Sequence, residues 1–263
     1  SDDTAREAYQ YRAGIIRDAL QVKKSPDRVP IFPLITFAPI FLAGKSGKDA
    51  MYDAEANGQS YLDFATTFQP DAVGTPTLIP HGPSLEKLGY NLYKWPGYNL
   101  PDNTPYQFHE REIISVDEYD QLIDDPTDFF LRTYIPRIYS TLGPLANTSF
   151  LYGTIELGTH PEWFVSLGAP DVQEAMMTLL EASRESFEWF QALLKHIGNI
   201  AASGYPFYAG AVSFAPFDVI GDTLRGTTPL MMDMFRCPEK VKQATERLVN
   251  PMISWGLPSV KAT

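Results

Sequence analysis

The chain has 263 residues, enough for one large domain or two small ones, and is 44% hydrophobic and 20% charged, as soluble globular proteins are. Its formal net charge of −11 argues against nucleic acid as the main partner, because phosphate binding needs a basic surface. The single cysteine, Cys237, excludes a disulfide framework within the chain and fits a reducing, cytoplasmic compartment.

The opening "SDDTAREAYQYR" is polar and mixed in charge, unlike a secretory signal. Residues 2–24 pattern as an amphipathic helix, capped by Asp2 or Asp3, with Ala13, Ile16 and Leu20 on its apolar stripe. "KSPDRVP" breaks it. The longest apolar run, "VPIFPLITFAPIFLAG" at 29–44, is short for a membrane span and carries Pro30, Pro33 and Pro39, so it reads as a buried strand and a loop. Residues 47–68 read as one helix, weakened in the middle by Gly58. "PDAVGTPTLI" (70–79) is a second buried strand candidate.

Periodicity stops from about 80 to 112, a stretch rich in Pro, Gly, Asn and aromatics. His81, Tyr90, Tyr93, Trp95, Tyr98, Tyr106 and His109 lie here; they either pack the segment onto the domain or cover a large planar ligand. Residues 115–139 read as short helices, with Ser115 and Glu118 at capping-box spacing. "TSFLYGTIELG" (148–158) is a third strand candidate. Residues 169–204 form the clearest helix, with Val172, Met176, Leu179, Leu180, Phe187, Phe190, Leu194 and Ile197 as its stripe and Gly204 as its stop. "PFYAGAVSF" (206–214) is a fourth strand candidate. Two helices follow. Thr228 caps the first, with Pro229 at its opening position; Pro238 starts the second, whose stripe is Val241, Ala244, Leu248 and Met252 and which Pro251 should kink. The alternation of apolar strands with helices predicts an α/β fold with a parallel sheet.

"APFDVIGDTLRGTTPLMMDMFRCPEKVKQATERL" (215–248), "PDRVPIFPLITFAPIFLAG", "YLDFATTFQPDAVG" and "EYDQLIDDPTDFFLRTYIPRI" together resemble the uroporphyrinogen decarboxylase superfamily, in its branch related to corrinoid-dependent methyltransferases. The resemblance implies a (β/α)8 TIM barrel with its site at the C-terminal strand ends. Residues 1–263 would be a single barrel domain, with a loop-rich insertion at about 80–148. Only four strand candidates are visible, so a C-terminally incomplete barrel is expected.

For activity the resemblance implies methyl transfer to or from a corrinoid with zinc assistance, a corrinoid protein as partner, and a place in anaerobic metabolism. Zinc ligands would lie in the second half of the barrel, and none is visible here. The alternatives are a decarboxylase or other lyase on a carboxylate-rich or tetrapyrrole substrate, and a non-catalytic barrel that binds a small molecule. Three departures count against tetrapyrrole decarboxylation. "FPLITFAPIFLAG" has no Arg where the decarboxylases carry an Arg-rich motif. Thr75, Pro76 and Thr77 stand where those enzymes have an Asp, and Asp222 where they have a Tyr.

The candidate catalytic residues are Glu156, His160 and Asp222. Glu156 and His160 fall in "GTIELGTHPEW" at an expected strand end, where a carboxylate beside an imidazole suits acid–base work or metal ligation; a surface loop is the alternative. The candidate substrate-binding residues are Asp218, Arg225 and Thr75. In "FDVIGDTLRG", either an Asp–Arg pair closes a loop turned at Gly221 and Gly226, or Asp218 and Asp222 face substrate. Cys237 reads as a structural, half-buried thiol, and Met231, Met232 and Met234 as core.

Overall fold

The computed structural model describes residues 3–22, 24–158, 161–207 and 212–262, with 258–262 as backbone alone. The chain packs as two compact units. The first comprises Ser1–Pro83, Trp95–Tyr106 and Arg184–Gly210; the second comprises Ser84–Lys94, Gln107–Ser183 and Ala211–Thr263. Helix dominates, at 68%. Among the described residues the sheet consists of Tyr93–Lys94 and Gln107–Phe108, paired antiparallel with Tyr93 opposite Phe108. The α/β class and the (β/α)8 TIM barrel expected from sequence are therefore corrected: this is a helical fold with one short two-stranded sheet.

The first unit shows why the expected strands fail to form a sheet. Three candidates do lie side by side. Asp71 donates its backbone N–H to the Ile31 carbonyl at 2.8 Å, and Val73 donates to the Pro206 carbonyl at 2.9 Å. Val73 and Phe207 make a single parallel bridge. The ladder stops there because Pro30, Pro33, Pro70, Pro76 and Pro206 have no N–H to give. Side chains hold the segments instead. The Asp71 carboxylate is fully buried and accepts from the Arg28 guanidinium at 2.6 and 2.5 Å and from the Ile31 N–H at 2.8 Å. Residues 208–211, within the fourth candidate, lie outside the described residues.

The helix expected at 2–24 is present as Asp3–Gln21. That expected at 47–68 is two helices, Gly47–Tyr52 and Ala54–Phe68. Each has its own cap. Ser46 and Asp49 exchange side-chain and backbone hydrogen bonds, and the Asp53 carboxylate accepts from the Ala56 N–H at 3.0 Å. Gly58 has a tertiary reason: a Cβ there would lie 2.1 Å from Cγ of His196. Trp95–Tyr106 packs as structure. Trp95 is fully buried and stacks on Tyr98, Tyr106 sets its edge against Phe37, and the Lys48 N–H reaches the Asp102 carbonyl at 3.0 Å.

The second unit is built on the helices Tyr119–Asp124, Pro126–Phe129, Ile135–Ile138, Thr227–Arg236 and Pro238–Ala262. Its core joins Ile113, Ile114, Leu122 and Phe129 to Ile220, Leu224, Val241, Ala244 and Leu248. The last three are the stripe read from sequence, and the helix continues through Pro251. The Ser115 N–H donates to the Glu118 carboxylate at 2.8 Å, as capping-box spacing implies. Arg137 holds that carboxylate from the other side at 2.9 and 2.5 Å and draws its pKa down to about 2. The third strand candidate is a 3-10 turn, Leu151–Thr154, with Phe150, Tyr152, Ile155 and Leu157 exposed. The helix Pro170–Ala202 begins in this unit and ends in the first.

Candidate functional site

A pocket of about 770 Å³ opens in the second unit. That volume suits a drug-sized ligand. Four pieces of chain build it, each by a local rule. Tyr93 and Phe108 are direct cross-strand partners, so their rings meet edge to face at 5.3 Å. Phe130 and Tyr134 stand one turn apart on the π-helical stretch Phe130–Tyr134, 5.2 Å apart and also edge to face. Met252 and Trp255 share a face of the helix Pro238–Ala262 by their i, i+3 spacing. Trp255 stacks on Phe214 at 5.5 Å with the planes 14° apart.

The fourth piece is the stretch singled out from sequence. After a short turn, Pro216–Asp218, the chain winds as a second π-helix, Val219–Arg225. Asp218, Val219, Asp222 and Thr223 face the pocket, while Ile220, Gly221 and Leu224 are buried on its other side. π-turns are rare and gather at functional sites; here two of them line one pocket.

The electrostatics are one-sided. Asp218 and Asp222 are the acidic groups, and among the described residues no Lys, Arg or His lines the pocket. Among the described residues neither carboxylate is engaged in a hydrogen bond or ion pair. Burial, then the nearby Asp222 charge, pushes the Tyr93 hydroxyl above its ordinary pKa. Burial takes Tyr134 up to about 12, partly offset by its hydrogen bond with Thr223. Both phenols are therefore hydrogen-bond donors at neutral pH.

The other candidates go elsewhere. Arg225 is buried and structural in its contacts. Its Nε donates to Asp233 at 2.6 Å, its Nη1 donates to Glu112 and to the Ile114 carbonyl, and Tyr119 donates to the same Asp233 at 3.1 Å. An Asp–Arg pair does close this loop, but through Asp233. Thr75, in the first unit, caps the turn Pro76–Leu78 and shares a hydrogen bond with Thr77 at 2.7 Å. Glu156 is exposed beyond the turn Leu151–Thr154 and does not line the pocket; His160 lies outside the described residues. Met231, Met232 and Met234 are exposed rather than core. The sequence pointed to Asp218 and Asp222 and, within the aromatic stretch at 80–112, to Tyr93, but not to Phe108, Phe130, Tyr134, Phe214 or Trp255. The i, i+4 pair Phe130/Tyr134 and the i, i+3 pair Met252/Trp255 were local signals for two of the missed walls.

The residues do not fit zinc. Among the described residues no three His, Cys, Asp or Glu side chains gather as a metal site requires. Partial burial and the Asp233 charge raise the Cys237 thiol pKa, against thiolate formation. A corrinoid is far larger than a drug-sized ligand and does not fit the pocket either. Among the described residues no helix is long and apolar enough to cross a membrane. Comparison with protein-family models, curated proteins and solved structures finds no match to this chain.

Proposed function

We propose that this chain binds a small, largely apolar molecule in the pocket of the second unit and acts on it as a methyl-transfer enzyme of the cytoplasm. One observation supports the binding site above others: Asp218 and Asp222 converge with three pairs of aromatic rings on one pocket. The methyl-transfer activity rests on the sequence resemblance to the corrinoid-dependent branch of the uroporphyrinogen decarboxylase superfamily. In this reading any corrinoid is carried by a separate protein, and no step runs through zinc.

The lining suits the task in three ways. Aromatic walls give an apolar ligand a surface to pack against. The Asp222 carboxylate attracts the positive charge that builds on the methyl-bearing centre as the methyl group is transferred. Tyr93, kept protonated by burial and by the Asp222 charge, donates a hydrogen bond to the substrate. The same lining speaks against a carboxylate-rich substrate, whose anions would meet two carboxylates and, among the described residues, no cation.

The test is calorimetric titration with a panel of methyl ethers, methylated amines and methyl thioethers, beside methyl transfer to cob(I)alamin followed by absorbance. At least one compound should bind, lose affinity in Trp255→Ala, and transfer its methyl group. Absence of both binding and transfer removes the proposal; binding without transfer leaves a small-molecule-binding protein.

A further inference from the structure

We infer that the ligand of the aromatic pocket is a methylated ammonium ion. This rests on the binding-site reading above and sharpens it to a chemical class. Three features of the lining point the same way.

The first is the density of π-faces and edges. Three ring pairs come from five separate stretches of chain, and ring faces carry the negative part of the aromatic quadrupole, which attracts a diffuse cation. The second is charge. Asp218 and Asp222 stand one turn apart on the rim, and among the described residues they have no counter-ion and no basic side chain lines the wall. An anionic ligand would be repelled, and a cationic one would be drawn to the two exposed carboxylates. The third is the balance of polar to apolar lining. A primary ammonium needs three hydrogen-bond acceptors gathered around one nitrogen. Here the carboxylates are at the rim and the wall is mostly ring and hydrocarbon, with the Tyr93, Tyr134 and Thr223 hydroxyls as its polar groups, which suits a nitrogen whose positive charge is spread over methyl groups.

The experiment compares choline with 3,3-dimethylbutan-1-ol, its uncharged isostere, by calorimetric titration of the full chain at low and high salt. Choline should bind at least tenfold more tightly, and the preference should shrink as salt screens Asp218 and Asp222. In the doubly substituted D218N/D222N chain the preference should fall at least fivefold, with the far-ultraviolet dichroism unchanged. Phe214→Leu should weaken choline more than the alcohol. Equal or tighter binding of the alcohol overturns the ammonium assignment while leaving a pocket for small apolar molecules in place. Binding of neither probe, at concentrations up to tens of millimolar, overturns both.

Discussion

The two units treat buried charge differently. In the first, the fully buried Asp71 is answered by a half-exposed arginine and a backbone N–H, and the threonine that looked like a substrate contact is spent on a turn. In the second, the buried cation Arg225 has two carboxylates and a carbonyl around it, while two further carboxylates a few residues away remain without a protein partner among the described residues. The contrast separates acids that hold the fold from acids available to a ligand. Asp71 and Asp233 belong to the first kind, Asp218 and Asp222 to the second.

That separation can be broken at either end, and the largest effect is expected at Asp233. Its side chain is 2% exposed and faces an equally buried guanidinium. Asp233→Ala should cost about 3–5 kcal/mol in urea unfolding, because it strands a buried charge. A loss under about 1 kcal/mol would show that Arg225 is not committed to structure.

Gly58 probes the first unit. On helix propensity alone Gly58→Ala should stabilise by up to about 1 kcal/mol. The His196 ring stands where the new methyl would go, so we expect a loss of about 1–3 kcal/mol, read as a lowered melting temperature. A raised melting temperature would place His196 elsewhere.

Smaller still is the acid limb set by Glu118. Its folded pKa, about 2, lies below the ordinary carboxylate value, so its stabilisation is complete above the unfolded pKa. It is lost as pH falls from there through about 2. The partly exposed pair with Arg137 keeps the effect under about 1 kcal/mol. Urea midpoints of Glu118→Gln should lose this part of the slope between pH 4.5 and 2.5.

Last, Asp222→Asn should leave stability within about 0.5 kcal/mol of the parent, since among the described residues Asp222 makes no hydrogen bond or ion pair. A larger loss would move Asp222 into the class of Asp71.

What was legible in the sequence was whatever spans four residues or fewer. Ser115 and Glu118 form the hydrogen bond their spacing implies, and Val241, Ala244 and Leu248 are the buried stripe of their helix. Asp53 was the missed cap: one side chain accepting from Ala56 breaks a helix that periodicity alone runs on. The helix at 169–204 was legible as an element but not in its orientation. Val172 is buried as expected, yet Ala175, Ala182, Leu193, His196 and Ile200 take the other inward positions, while Leu180 and Phe187 are 66% and 62% exposed. A stripe of large apolar residues gives the period, but the smaller side chains allow close approach, and the partner decides which face turns inward.

Thus the sequence by itself determined the longer helices, the Ser115–Glu118 box and the acidic pair in "FDVIGDTLRG", though not the short helices Ala38–Leu42, Gly82–Leu88 and Pro161–Leu167 or a cap at Thr228, whose helix begins at Thr227. Tertiary structure decided the rest. It left the apolar runs around Ile31, Val73 and Phe207 adjacent but unladdered, because a strand exists only if its neighbours can exchange N–H and carbonyl groups, and the prolines there cannot. It also turned two carboxylates into a candidate site, because the rings that share their pocket come from residues 93 to 255, a span over which chain-local periodicity carries no information.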